Sequence, residues 1–409
     1  MAQKTLKIGI VGAGIGGAAL ALALQKRGIE AHVFERAAAF GEIGAGVQMT
    51  PNAVKVLRAL GLADGLAQVG FLPEAMVGFN WDTGKQTFYT PLKDVCPRVF
   101  GAEFFHVHRA DLHALLTRDL KADRVKFGVT CTGIEQQGEK AVASFTDGTT
   151  FEADLIVGAD GIHSAVRGSL WGKDPAQFTG HMCWRALVPV EQFPLPFVGP
   201  YAAFWMGPKA HIVTYYVKGG KAVNIVAVNE SAEWVAESWI EPSSKPELLE
   251  AFSGWAPDMT KLLEATDPSS LFKWGLFDRD PMDKWSKGNV TLLGDAAHPM
   301  LPFLSQGAAM ALEDSYVLAL ALEHYETVGE ALAAYEAERR GRTARVQLEA
   351  RERGRTYHLS SPEEQERRDA EMRKEQEKDP NAVGIKAEWV YEYDATRAAE
   401  RFIAQAVAA

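Results

Sequence analysis

The segment Leu6-Lys7-Ile8-Gly9-Ile10-Val11 is a short β-rich apolar run that ends in Gly12-Ala13-Gly14-Ile15-Gly16-Gly17. An alanine- and leucine-rich stretch, Ala18 to Lys26, reads as a helix, and Ala31-His32-Val33-Phe34 as a second strand ending in Glu35. Strand, glycine turn, helix, strand and acid together form the dinucleotide-binding fingerprint in its full context. Gly12 permits the tight turn, Gly14 lets backbone approach a pyrophosphate, and Gly17 lets the helix pack closely on the sheet. The helix start offers unpaired N–H groups to phosphate. Glu35, followed by Arg36, can accept the hydroxyls of a ribose. The order requires a parallel α/β core at the N-terminus.

Composition limits what surrounds that core. The chain has 409 residues, enough for two or three domains, with 47% hydrophobic and 23% charged residues. A formal net charge of -10 argues against nucleic acid as a partner. Cys96, Cys131 and Cys183 are far apart, odd in number and without metal-ligand spacing, so they read as free thiols and no metal site is expected. The apolar Ile8–Leu24 stretch is broken by five glycines, no other run is long enough to span a bilayer, and the tail from Phe402 to Ala409 is too short for an anchor. A cytoplasmic protein without a membrane partner, monomeric or homodimeric, is expected.

Farther along, Pro51–Leu60 reads as a helix stopped by Gly61, Phe71–Phe100 as short strands and loops, and Arg109–Leu116 as a helix. Asp154–Gly158 and Asn289–Leu293 are buried-strand patterns running into turns. Between them Trp184–Val190, Ala202–Met206, His211–Val217 and Ala222–Val228 read as strands of an antiparallel sheet, with Gly219-Gly220 as a hairpin turn. Helices are expected from Gly307 to Leu322 and over the charged Glu330–Leu359. The mixed-charge Ser360–Pro380 stretch reads as a solvated helix or a loop. The fold class is therefore α/β: a Rossmann-like parallel-sheet domain interrupted by a mainly antiparallel β domain, with C-terminal helices.

Three separated motifs belong together: the fingerprint; Gly158-Ala159-Asp160-Gly161-Ile162-His163-Ser164-Ala165-Val166-Arg167; and Leu293-Gly294-Asp295-Ala296-Ala297-His298-Pro299, running on to Gln306-Gly307-Ala308-Ala309-Met310-Ala311-Leu312-Glu313-Asp314. In order and spacing the set resembles the single-component FAD-dependent aromatic hydroxylases over nearly the whole chain. The resemblance implies an FAD-binding domain over 1–75, 101–180 and 286–350, a substrate domain over 76–100 and 181–285, and a helical segment over 351–409. It places Gly294 and Asp295 on the ribityl chain, Glu35 on the adenosine ribose, Arg109, Asp160 and Gly161 on FAD, and the helix start Gly307-Ala308-Ala309 at the flavin's pyrimidine edge. Pro302 falls beside the flavin's oxygen-reactive carbon. A capping aspartate is the competing reading for Asp160. No second glycine fingerprint appears, which fits NADH or NADPH binding only transiently before O2 reacts with the reduced flavin to give a hydroperoxide.

Within the family, Phe40-Gly41-Glu42-Ile43-Gly44-Ala45-Gly46-Val47-Gln48-Met49-Thr50-Pro51-Asn52 resembles the branch acting on small hydroxylated aromatic or pyridine carboxylates: salicylate, 3-hydroxybenzoate and 6-hydroxynicotinate hydroxylases. Trp234–Thr266 and the tail Glu388–Asp394 resemble the last of these. Those enzymes carry histidine where this chain has Gln48 and Phe303. His211 and Tyr215 share one face of a predicted strand. Histidine suits removal of a ring-hydroxyl proton near neutral pH, which enriches the ring for attack on activated oxygen, and Tyr215 can hydrogen-bond the ring's carboxylate or phenolate. Trp184, Arg185 and Trp205 are further pocket candidates, Arg185 for a carboxylate, although aromatic residues in a sheet are also ordinary packing. The expected reaction is hydroxylation of a 6-hydroxynicotinate- or salicylate-type ring, decarboxylative if the carboxylate sits on the attacked carbon. The alternatives are a 3-hydroxybenzoate-type or larger substrate, or a nucleotide-binding protein without catalysis.

Overall fold

The computed structural model describes residues 6–41, 45–172, 174–192, 198–232, 241–379 and 386–402. Glu42, Ile43 and Gly44 of the Phe40–Asn52 motif, Trp234 to Ile240 of the Trp234–Thr266 stretch, Pro380, and the tail beyond Phe402 lie outside these residues.

A six-stranded sheet runs in the order Ser286–Lys287, Val290–Leu292, Leu155–Gly158, Lys7–Val11, Glu30–Glu35, Val125–Phe127, and every pair but the first is parallel. Val11 is in register with both Phe34 and Gly158, and Gly158 with Leu292. Each of the three motifs starts where one of these strands stops. Parallel register therefore brings Gly12, Ala159 and Gly294 to one edge, the carboxyl edge at which open α/β sheets bind ligands. The helix Ile15–Lys26 packs against the sheet through an almost wholly buried Ala/Leu surface. Gly12 has φ +98°, and a Cβ on Gly17 would stand 2.0 Å from the Gly12 oxygen, so both glycines are required by the turn itself.

An eight-stranded sheet takes the order Glu241–Pro242, Phe272–Asp278, Gln177–Pro189, Ala222–Glu230, Ala210–Val217, Tyr201–Gly207, Ala75–Asn80, Gln86–Pro91. It is antiparallel apart from the Tyr201–Gly207/Ala75–Asn80 pair. Period-two alternation divides its side chains. Arg185, Phe204, His211, Val213, Tyr215 and Val226 face the carboxyl edge of the parallel sheet. Trp184, Ala186, Ile212, Val223 and Ile225 face the other way and pack on the helices Lys245–Ala251 and Pro257–Glu264.

Two features depart from the sequence reading. The stretch between Leu116 and Asp154, left without assignment, holds the meander Cys131–Gln137, Lys140–Phe145, Thr150–Ala153, which packs through Phe145 and Phe151 on Phe34. Of the two readings of the mixed-charge stretch, the helix is the one the structure takes, although it is not fully solvated. Pro362–Lys378 is a helix that buries Gln365, Arg368, Asp369 and Met372. It covers the edge strand Gln86–Pro91, where the Tyr89 N–H donates to Gln376 Oε1 at 3.0 Å. Among the described residues no helix is long and apolar enough to cross a membrane.

Candidate active site

A cavity of about 290 Å³ opens between the carboxyl edge of the parallel sheet and the inner face of the large sheet. On the first side it is lined by Gly14, Ile15 and Gly16 of the turn, by Gly161, and by Gly294 and Asp295. Asp295 is the only exposed residue in the otherwise buried run Thr291–Pro299, so its carboxylate projects into the space. Although it opens onto the cavity, the protein packed around it desolvates the carboxylate and raises its pKa, while His298 and Arg109 oppose the shift. Gly307 and Ala308 line the same space at the start of the helix Gly307–His324, whose first N–H groups have no partner within the helix. A polyol and a phosphate-bearing chain fit this wall: glycine backbone, free helical N–H groups and one projecting carboxylate.

On the other side stand Gln48, Arg109, Arg185, His211, Tyr215, Trp274, Pro302 and Phe303. His211 is buried, its Nδ1 is 2.7 Å from His358 Nε2, and its ring meets Phe303 edge-on at 5.2 Å. Burial holds the imidazole well below its ordinary pKa, with His358 and His181 adding to the effect. It is therefore neutral at pH 7 and able to accept a proton. Burial raises the Tyr215 phenol, so it keeps its proton and donates. The Tyr215 ring packs on His106 at 4.5 Å, and Gly46 lies so close that a Cβ there would stand 2.5 Å from Tyr215 Cε2. The Arg185 guanidinium lies 4.8 Å over the Trp274 ring. Among the described residues, the buried donors Gln48 Nε2, Arg185 Nε and Asn224 Nδ2 in this region have no hydrogen-bond partner.

Thirteen of the expected positions thus meet at one cavity: Gly14, Gln48, Arg109, Gly161, Arg185, His211, Tyr215, Gly294, Asp295, Pro302, Phe303, Gly307 and Ala308. Others do not. Trp184 is a correction: it lies on the outer face, donates to Ser243 Oγ at 2.9 Å and packs on Phe252. Trp205 is another, stacked on Phe79 on that same outer side. The Asp160 carboxylate is committed to its own helix, accepting from Ala165 N at 2.7 Å and from the Ser164 hydroxyl, which is the capping alternative. Glu35 accepts from Ala13 N at 2.7 Å and Ala37 N at 2.8 Å, bracing the glycine turn with lone pairs to spare. Arg36 is exposed, and the Ala309 side chain is buried in the core, leaving only its N–H in the helix's first turn. Gly12 and Gly17 shape the turn without lining the cavity.

Sequence reasoning also passed over the support behind Asp295. Asp314 accepts from Gly294 N at 3.2 Å and pairs with His298 Nε2 at 2.6 Å and Arg339 Nε at 2.8 Å, while Arg339 also pairs with Glu313. Glu313 accepts from Asn52 Nδ2 at 2.6 Å. The signal was present as two adjacent acids inside an apolar helix, since buried acids require partners. His358 carried no comparable signal.

A strand-edge groove that opens into a walled, donor-lined ring pocket defines a class, the FAD-dependent aromatic monooxygenases, which take electrons from NAD(P)H and oxygen from O2. The family described as the FAD binding domain matches residues 5–350, and the chain belongs to it. It is 41% identical to 3-amino-4-hydroxybenzoate 2-monooxygenase of Streptomyces cremeus, with 96% of each chain covered. It is 39% identical to 6-hydroxynicotinate 3-monooxygenase of Pseudomonas fluorescens, covering 84% of this chain and 90% of that one. The structure of Klebsiella pneumoniae HpxO with FAD and uric acid superposes with a TM-score of 0.84 at 29% identity, covering 94% of this chain and 97% of that one.

Proposed function

We propose that the protein hydroxylates a small benzene-ring carboxylate bearing an ionisable hydroxyl, of the 3-amino-4-hydroxybenzoate class. The observation that carries this reading is the donor set: Arg185, Gln48 and Asn224 offer buried N–H groups without partners beside a neutral histidine. Such a pocket favours an anionic ring that arrives with a proton to give up. Arg185 takes the carboxylate, His211 Nε2 takes the hydroxyl proton, and Tyr215 donates to the resulting phenolate. Phe204, Trp274 and Phe303 flank the ring and exclude water. Bound FAD, reduced by NAD(P)H and reoxidised by O2, supplies the oxygenating chemistry. Gly14 to Gly16, Asp295 and the first turn of the Gly307 helix would hold it. Phe303 against the histidine of the 6-hydroxynicotinate enzymes, together with the coverage of the Streptomyces relative, favours a benzene over a pyridine substrate. Three buried free cysteines support a cytoplasmic location.

The test is NAD(P)H oxidation by the flavin-loaded protein with 3-amino-4-hydroxybenzoate, 6-hydroxynicotinate, 3-hydroxybenzoate and salicylate, with product mass and peroxide measured together. The aminohydroxybenzoate should gain one oxygen with little peroxide. The reading is lost if peroxide accounts for all the NAD(P)H consumed with that ring, or if only the pyridine acid is hydroxylated.

A further inference from the structure

The imidazole that faces the ring is not isolated. His211 and His358 are both buried, and their Nδ1 and Nε2 atoms lie 2.7 Å apart. His358 follows the end of the long helix Val328–Tyr357, where the Lys209 N–H donates to its peptide oxygen at 3.1 Å. Its second nitrogen, Nδ1, is buried without a hydrogen-bond partner among the described residues and stands 3.6 Å from Glu230 Oε1. Glu230 ends the strand Ala222–Glu230, and its side chain is 42% exposed. One nitrogen each of His181 and His358 and one Glu230 oxygen lie within 4.8 Å of one another. Tyr357 packs on the His211 ring at 5.3 Å, so His181, Tyr357 and Glu230 are the titratable groups placed against the pair. The line from cavity to solvent is then His211, His358, Glu230.

A base in a dry pocket has a difficulty that this line removes. An imidazolium held at His211 would be an uncompensated charge in low dielectric, so the ring proton must move on. We propose that His358 and Glu230 form a relay that carries the substrate's hydroxyl proton from His211 to solvent and returns it when product forms. The relay rests on the function proposed above. The ring hydroxyl gives its proton to His211 Nε2, the proton on His211 Nδ1 passes to His358 Nε2, and the proton on His358 Nδ1 passes to the Glu230 carboxylate and then to water. One proton enters and one leaves, and both imidazoles end neutral with tautomers exchanged. A small rotation of Glu230 or a bridging water spans the last gap. Return of the proton to the product hydroxyl runs the same shifts backward and resets both rings. His358 and Glu230 act through His211 and are positioning residues for its chemistry.

The test uses the oxidised, flavin-loaded protein without NAD(P)H, so no turnover occurs. Mixing with 3-amino-4-hydroxybenzoate in weak buffer reports ring ionisation by absorbance and proton release by an indicator dye. Glu230→Gln should slow proton release about tenfold, and added formate should restore it, because the lost group lies at the surface. His358→Gln should slow it at least as much without formate rescue, with ring affinity and flavin content within about twofold of wild type. Wild-type rates in both variants overturn the relay. In the ring-free holoprotein, ¹⁵N NMR should show coupling across the His211–His358 hydrogen bond, absent in His358→Gln; no coupling also overturns it. If that coupling is present but the wild type neither binds nor ionises the ring, the substrate reading fails while the relay's own signature stands.

Discussion

On the proposed function His211 acts on the ring and is not needed for cofactor retention. It lines the ring end of the cavity, while Asp295 and the glycine turn line the other. His211→Gln should therefore lower the hydroxylation rate by about 10²- to 10⁴-fold and leave bound flavin per protein unchanged, as read by absorbance after gel filtration. Parallel loss of both would make it a structural residue. Arg185→Met should act on binding instead. Losing a buried charge-assisted contact costs about 1.5–3 kcal/mol, so KM should rise roughly 10- to 100-fold with a smaller change in kcat. The pair Trp184 and Arg185 also shows what a strand pattern holds and what it lacks. Neighbours on a strand face opposite ways, so both could not line one pocket. Which face is inner depends on helices supplied by Lys245–Ala251 and Pro257–Glu264, about 60 residues away, and no local signal carries that.

Elements were legible where one feature dominated. The glycine turns and strand ends marked the groove because a parallel sheet puts such turns on one edge. The meander over Cys131–Ala153 was missed because Cys131–Gln137 mixes Glu, Gln and Gly with few apolar residues, while Lys140–Phe145 and Thr150–Ala153 are only six and four residues long. Pro362–Lys378 was open to reading as a helix, but its charges hid the face on which Met372 and the Arg368 stem bury against neighbours. The helix Gly307–His324 was expected, yet its anchoring was not. Arg339 lies between Glu313 and Asp314, all three without solvent exposure. Arg339→Met would leave two buried carboxylates short of a cation and should cost about 3–5 kcal/mol in urea unfolding. Because Asp314 also holds Gly294 N, flavin affinity should fall in the same variant. Unchanged affinity would show that the Gly294–Asp295 turn holds its shape without that ion network.

At the scale of the molecule, burial makes the protein sensitive to acid. His106 and His358 are pushed down to about 3, and His211 well below its ordinary value, all by burial. A histidine whose folded pKa is depressed binds its proton only after unfolding, so its contribution is complete above about pH 6.5 and is lost progressively as pH falls toward the folded value. Each should remove roughly 1.4 kcal/mol of stability per pH unit in that window, or about 2 kcal/mol between pH 6.5 and 5. Denaturant titrations at several pH values should show the slope, and His106→Phe should reduce it by one proton. An unchanged slope would mean that His106 is not a neutral buried group. Neither nitrogen of His106 has a hydrogen-bond partner among the described residues, which makes it the cleanest site for the measurement.

The sheet order has a consequence for how the chain is made. Leu155–Gly158 pairs on one side with Lys7–Val11 and on the other with Val290–Leu292. On the ribosome the last partner emerges roughly 130 residues after the strand that awaits it, on the order of ten seconds at ordinary synthesis rates. During that interval the N-terminal unit carries an unfilled, fully apolar strand edge, and the Gly294–Asp295 turn does not yet exist. Cofactor capture must therefore wait until about three quarters of the chain has been translated. A nascent chain released near residue 280 would present that edge to other chains and to chaperones.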